Sequence, residues 1–145
     1  MKRILHFAAM AGVLFLASCA KNDKGLNANQ WSISGKTIQA DKVDISYTGN
    51  YISGVNGDGS SLTASFKALP TASADYNVNT EATGSADVAV RVILSGNLVY
   101  NGIPQANKVS VRVTGGTYTM IMNDIKLVNA GNEKDTVIVS CNLVQ

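Results

Sequence analysis

The feature that most restricts the fold is the two-residue period of the apolar side chains. Val109, Val111 and Val113 alternate with Ser110 and Arg112. Leu62, Ala64 and Phe66 alternate with Thr63 and Ser65, and Val43 and Ile45 flank Asp44. Successive side chains of a strand point to opposite faces, so this alternation describes a sheet with one face in a core. No useful length of the chain carries the 3.6-residue period of an amphipathic helix. Turn signals punctuate the pattern at Gly35, Thr48-Gly49-Asn50, Asn56-Gly57-Asp58-Gly59, Asn101-Gly102 and Gly115-Gly116. Turns recurring every 8–12 residues or so indicate a sandwich or barrel.

The pattern predicts an all-β domain over 30–145: an antiparallel β-sandwich, with a small β-barrel as the alternative. Trp31 to Ile33 and Thr37 to Ala40 form a first hairpin, and strands follow at 43–47, 51–55 and 62–68. Tyr76 and Val78 mark a short strand, and 80–85 is a polar loop. Val88, Val90, Val92 and Leu94 share one face of the next strand. The clearest hairpin turns at Gly115-Gly116, the two-residue loop of a primed turn. Ile125 and Leu127 fall out of phase with Tyr118, Met120 and Met122, which predicts a β-bulge at Asn123-Asp124. Residues 129–135 read as a loop and 136–144 as the last strand. Of the 145 residues, 46% are hydrophobic and 15% charged. That suffices for one core and leaves turns to Ser, Thr, Asn and Gly.

The first residues carry a different pattern. Lys2 and Arg3 precede an uncharged, mostly apolar run from Ile4 to Ala17, broken only by His6. A membrane-spanning helix needs about 20 apolar residues, so this run fits the apolar region of a signal peptide. It ends in Leu16-Ala17-Ser18-Cys19, which resembles a bacterial lipobox. Small residues before the cut let the chain lie extended in a peptidase, and the Cys thiol takes a diacylglycerol. Cleavage before Cys19 frees an amine for a further acyl chain such as palmitate. The expected organisation is a signal peptide over 1–18, a lipidated tether over 19–29 and the domain from 30. Ala20 stands where many Gram-negative lipoproteins carry an inner-membrane-retaining Asp. The destination implied is therefore the outer membrane, on its periplasmic face or at the cell surface.

Loss of the signal changes the chemistry. Lys2 and Arg3 are two of twelve basic residues, and the ten that remain match ten acidic ones, so the net charge of +2 falls to zero. No field remains to steer nucleic acid, and no nucleic-acid partner is expected. His6, the one histidine, leaves as well. A Ser-His-Asp triad, a Cys-His dyad and a zinc site are then out of reach, and the expected chain is not an enzyme and uses no cofactor. Glu81 and Glu133, both in polar stretches read as loops, show no spacing that suggests a carboxylate pair. Cys19 is consumed by lipid, so Cys141 is left without a disulfide partner. Its alternation with Val137, Val139 and Leu143 makes it a core thiol.

Three local features bear on binding. Asn56-Gly57-Asp58-Gly59-Ser60 places oxygens at alternate positions, as a calcium loop does, but lacks its acidic count and terminal Glu; it reads as a turn. Tyr47, Tyr51, Tyr76, Tyr100 and Tyr118 include candidates for a sugar-stacking platform, although their neighbours suit core or edge positions. Asp135-Thr136-Val137 resembles a short O-glycosylation acceptor, which makes Thr136 a candidate modification site.

Trp31-Ser32-Ile33-Ser34-Gly35, Phe66-Lys67-Ala68-Leu69-Pro70, the valine hairpin and the closing strand together resemble small all-β lipoproteins of Bacteroidota-type envelopes. The resemblance spans most of the chain after Cys19. It implies a lipid-anchored β-domain and carries over no catalytic residue. The expected function is a non-catalytic interaction or envelope-structural role, partnered with the membrane through lipid. The alternative is a glycan- or ligand-binding surface module.

Overall fold

A computed structural model describes residues 24–145. The segment 1–18 expected as a signal peptide, and Cys19, lie outside the described residues. The described residues are all-β: β1 (Gln30–Ile33), β2 (Lys36–Gln39), β3 (Lys42–Ser46), β4 (Tyr51–Val55), β5 (Ser61–Phe66), β6 (Ala74–Asn79), β7 (Asp87–Leu94), β8 (Leu98–Gly102), β9 (Lys108–Thr114), β10 (Thr117–Asn129) and β11 (Asn132–Val144). Hydrogen bonds link them in the order β2-β1-β11-β10-β9-β6-β7-β5-β4-β3, and β8 pairs with both β7 and β10.

The arrangement is sandwich-like. Gly54 on β4 and Leu143 on β11 lie far apart in the strand order. Yet a Cβ built on Gly54 would sit 2.8 Å from Leu143 Cδ1, so the two strands face each other across the core. Between the layers Trp31, Leu62, Val88, Val92, Met120, Met122, Ile125, Leu127 and Leu143 are fully buried. Phe66 and Tyr76 meet edge to face at 4.9 Å. The apolar side of each alternating segment turns inward: Leu62, Ala64 and Phe66 of β5, then Val88, Val90 and Val92 of β7.

Turns match residue chemistry closely. Gly115 and Gly116 both take positive φ (58° and 84°), as a primed turn requires, and Thr114 pairs with Thr117 across it. Ser34 and Gly35 do the same between β1 and β2. The expected bulge is present. Met122 pairs with Cys141 and Ile125 with Val139, so Asn123 and Asp124 together oppose Ser140.

Four details correct the sequence reading. The sheet is not wholly antiparallel, because β6 and β7 pair in parallel through Asn77, Val78 and Asn79. Asn101-Gly102 is not a turn but the end of β8. A Cβ on Gly102 would lie 2.8 Å from Val78 Cγ1, so the glycine permits close packing there. The turn before β8 is Ser95-Gly96-Asn97, with positive φ at Gly96 and Asn97. The loop expected over 129–135 shrinks to Ala130-Gly131, and β11 begins at Asn132, which places Glu133 on a strand.

The segment before β1 is held against the sheet. Leu26 is buried, and its carbonyl accepts from Asn142 Nδ2 at 3.2 Å. Asn29 Oδ1 accepts from the Val144 amide at 2.8 Å, and the Asn29 carbonyl accepts from the Ala40 amide at 2.8 Å. Lys24 forms an ion pair with Asp124 at the bulge. Of the residues expected as a tether, 24–29 therefore lie along β10 and β11.

Candidate functional site

The outward side of β4, β5, β7 and β8 forms a groove of about 410 Å³. Its geometry follows from the strand period. With even-numbered residues of β4, β5 and β7 in the core, the odd-numbered ones face out. Register then aligns them in cross-strand rows. Tyr51, Ser65 and Ala89 form one row. Ser53, Thr63, Arg91 and Asn101 form the next, with Asp44 of β3 opposite Ser53 at its end. Val55, Ser61 and Ile93 form the third. Ser53 is only 6% exposed despite lying on the outer side.

The polar groups of this groove are unusually free. Among the described residues, the hydroxyls of Ser53, Ser61, Thr63 and Ser65 have no hydrogen-bond partner within the protein. Arg91 donates from Nε to Asn101 Oδ1 at 3.1 Å and forms no ion pair among the described residues. Its terminal guanidinium nitrogens are the sole charge on the lining. At the end of the row Asp44 is paired with Lys42 at 2.7 Å. Polar side chains beside the bulge, by contrast, are bonded to backbone. Asn107 Nδ2 donates to the Asp124 carbonyl, and Gln105 bonds the Lys126 amide and carbonyl.

The other expected features fall into place one by one. The oxygens of 56–60 are occupied by backbone donors: Asn56 Oδ1 accepts from the Asp58 amide at 3.0 Å, and Asp58 Oδ1 from the Ser60 amide at 2.7 Å. The Ser60 bonds hold the Asp58 carboxyl below its ordinary pKa. The segment is a tight turn, as its composition suggested. Tyr76, Tyr100 and Tyr118 are buried, which removes them from any surface platform. Tyr118 donates to the Pro70 carbonyl at 3.0 Å, and burial pushes its pKa up, with Tyr47 beside it adding to the effect. Tyr47 is 70% exposed, and Tyr51 borders the groove.

Thr136 is exposed on β11. Its neighbour Asp135 accepts from Tyr100 Oη at 3.0 Å and Asn129 Nδ2 at 2.9 Å. That first bond keeps the Tyr100 proton in place and raises its pKa. Cys141 is fully buried in the core, and desolvation pushes its thiol up to about 12. Glu81 lies in the loop after β6 and Glu133 on β11, both exposed. Among the described residues no group of three His, Cys, Asp or Glu side chains could hold a metal ion, and no helix is long and apolar enough to cross a membrane.

Sequence reasoning missed the groove because it attends first to the apolar period. A signal was nonetheless present. Ser53, Ser61, Thr63 and Ser65 occupy the polar phase of two consecutive strands joined by a short turn, so they had to share one face. No family model, curated protein or solved structure matches this chain.

Proposed function

We propose that this chain is an outer-membrane lipoprotein, anchored through Cys19 and similar to small all-β envelope lipoproteins of the Bacteroidota type. Its domain acts by non-catalytic contact with another envelope or surface component. The anchor reading rests on Lys2-Arg3, the apolar run and Leu16-Ala17-Ser18-Cys19. The observation that carries the non-catalytic reading is the make-up of the groove. Its lining offers hydroxyls, an amide and one guanidinium, all suited to holding a partner. It offers no carboxylate or imidazole to move a proton.

A second reading, a glycan- or ligand-binding module, is favoured by the uncommitted hydroxyls of Ser53, Ser61, Thr63 and Ser65. The anchor is tested by Cys19→Ala in cells fed labelled palmitate. The variant is expected to lose the label and leave the membrane fraction or stay unprocessed. A palmitate label that persists on the variant would contradict the anchor.

A further inference from the structure

We infer that the groove over β4, β5, β7 and β8 binds a short acidic oligosaccharide, with a sugar carboxylate seated on Arg91. The inference rests on the non-catalytic binding reading and names the ligand class.

Backbone recognition is closed at this place. β5 is paired on both sides, by β4 and β7, and β4 by β3 and β5. A peptide strand adding to a sheet needs an unpaired edge, and the floor of the groove has none. Recognition must run through side chains, and those present suit a polyol. Four hydroxyls that bond nothing in the protein can each donate and accept, as sugar hydroxyls do. None of the four is a buried atom lacking a partner, so in the free protein they face water, and a sugar exchanges those water bonds for its own. Ala89 and Ile93, in the rows on either side of Arg91, place apolar patches beside the charge, and Tyr51 closes one end, a surface for the C–H face of a sugar ring.

Arg91 adds the charge. Its Nε is fixed on Asn101 Oδ1, which aims the guanidinium, while the two terminal nitrogens stay available for a planar carboxylate. Thr63 lies directly across from it in the register, and Ser53 across from Thr63, so hydroxyl donors continue the row away from the charge. The volume of about 410 Å³ falls among small-ligand sites, which run roughly 300–1,000 Å³, and suits a short oligosaccharide.

The test is calorimetric titration of the full chain in detergent micelles with tetragalacturonate, a hyaluronan tetrasaccharide and sialyllactose, each beside its carboxyl-esterified form. At least one acid is expected to bind, and its ester to bind about tenfold more weakly or worse, the scale of one charge-assisted hydrogen bond. Arg91→Gln should bring acid and ester to the same affinity. Thr63→Val should weaken both, and it keeps the side-chain shape in case Arg91→Gln fails to fold. Trp31 fluorescence verifies that each variant is folded. Failure of all three acids to bind the folded protein would overturn the inference. So would binding that both variants leave unchanged, or binding of peptides alone. Palmitate labelling of Cys19 is read separately, so loss of the groove reading and loss of the anchor reading are distinguishable.

Discussion

Asn142 on the last strand donates its side-chain amide to the carbonyl of Leu26, 3.2 Å away and 116 residues earlier in the chain. With Asn29 on Val144 and Lys24 on Asp124, it fastens the lead-in segment to β10 and β11. Only residues 20–23 then separate Cys19 from the part of the chain held on the sheet. At no more than about 3.6 Å per residue, an anchor at Cys19 would keep the bulge side of the domain within roughly two nanometres of the lipid.

Asn142→Ala is expected to destabilise the domain by about 1–3 kcal/mol, because a buried side-chain hydrogen bond to the Leu26 carbonyl is lost. Urea unfolding followed by Trp31 fluorescence measures this. The one tryptophan is fully buried and reports directly on the core. The same variant should make the chain before β1 more sensitive to protease under native conditions.

The contact between layers is tested at Gly54. A Cβ there would meet Leu143 at 2.8 Å, and 3.4 Å away lies the Ala40 Cβ. Gly54→Ala should cost about 1–3 kcal/mol through overpacking. Ser53→Ala, one residue away and facing out, should cost much less. Equal effects would mean that β4 does not pack against β11.

Asp75 and Cys141 contribute to the pH response at opposite ends. Ser110 Oγ donates to Asp75 at 2.6 Å, and Arg112 lies 3.2 Å from the same oxygen; the serine first and the arginine second hold the Asp75 carboxyl below its usual range. A depressed folded value contributes stability above the unfolded pKa of about 3.9, which is lost as pH falls through the folded value. Asp75→Asn should flatten that acid limb. Cys141 acts at the other end. Its thiol is pushed up to about 12, so it stays protonated in the fold when an unfolded thiol, near pKa 8.5, would ionise. Stability is full below about 8.5 and declines as pH rises towards 12. Cys141→Val should remove the part of that decline that begins near 8.5 and leave the part above about 10 that the raised Tyr76, Tyr100 and Tyr118 contribute, and native protein should resist maleimide until unfolded.

Thr136 as a glycan acceptor predicts that Thr136→Val migrates faster on a gel than the parent protein expressed in its own type of host. Asp135→Ala is the weaker test, since it also breaks the bonds to Tyr100 and Asn129. Identical migration of Thr136→Val would remove the modification.

What was legible in the sequence was whatever a short segment decides alone. The valine hairpin, the Gly115-Gly116 turn and the bulge at Asn123-Asp124 each follow from local period and local φ. What was not legible depended on contacts between distant segments. Asn101-Gly102 has the composition of a turn, but the approach of Val78 makes the glycine a packing residue. The polar segment 24–29 resembles a free tether until Asn142 and Val144 supply its partners. Tyr76, Tyr100 and Tyr118 were ambiguous between core and surface, and tertiary packing buried all three. The groove needed the strand register, which no single segment carries.

The proposed anchor at Cys19 is tested by mass spectrometry of the N-terminal peptide of protein purified from the membrane fraction. The account predicts a peptide that begins at Cys19 and carries the mass of a diacylglycerol with or without a further acyl chain. A peptide with an unmodified Cys19 thiol, or one beginning elsewhere, would contradict it.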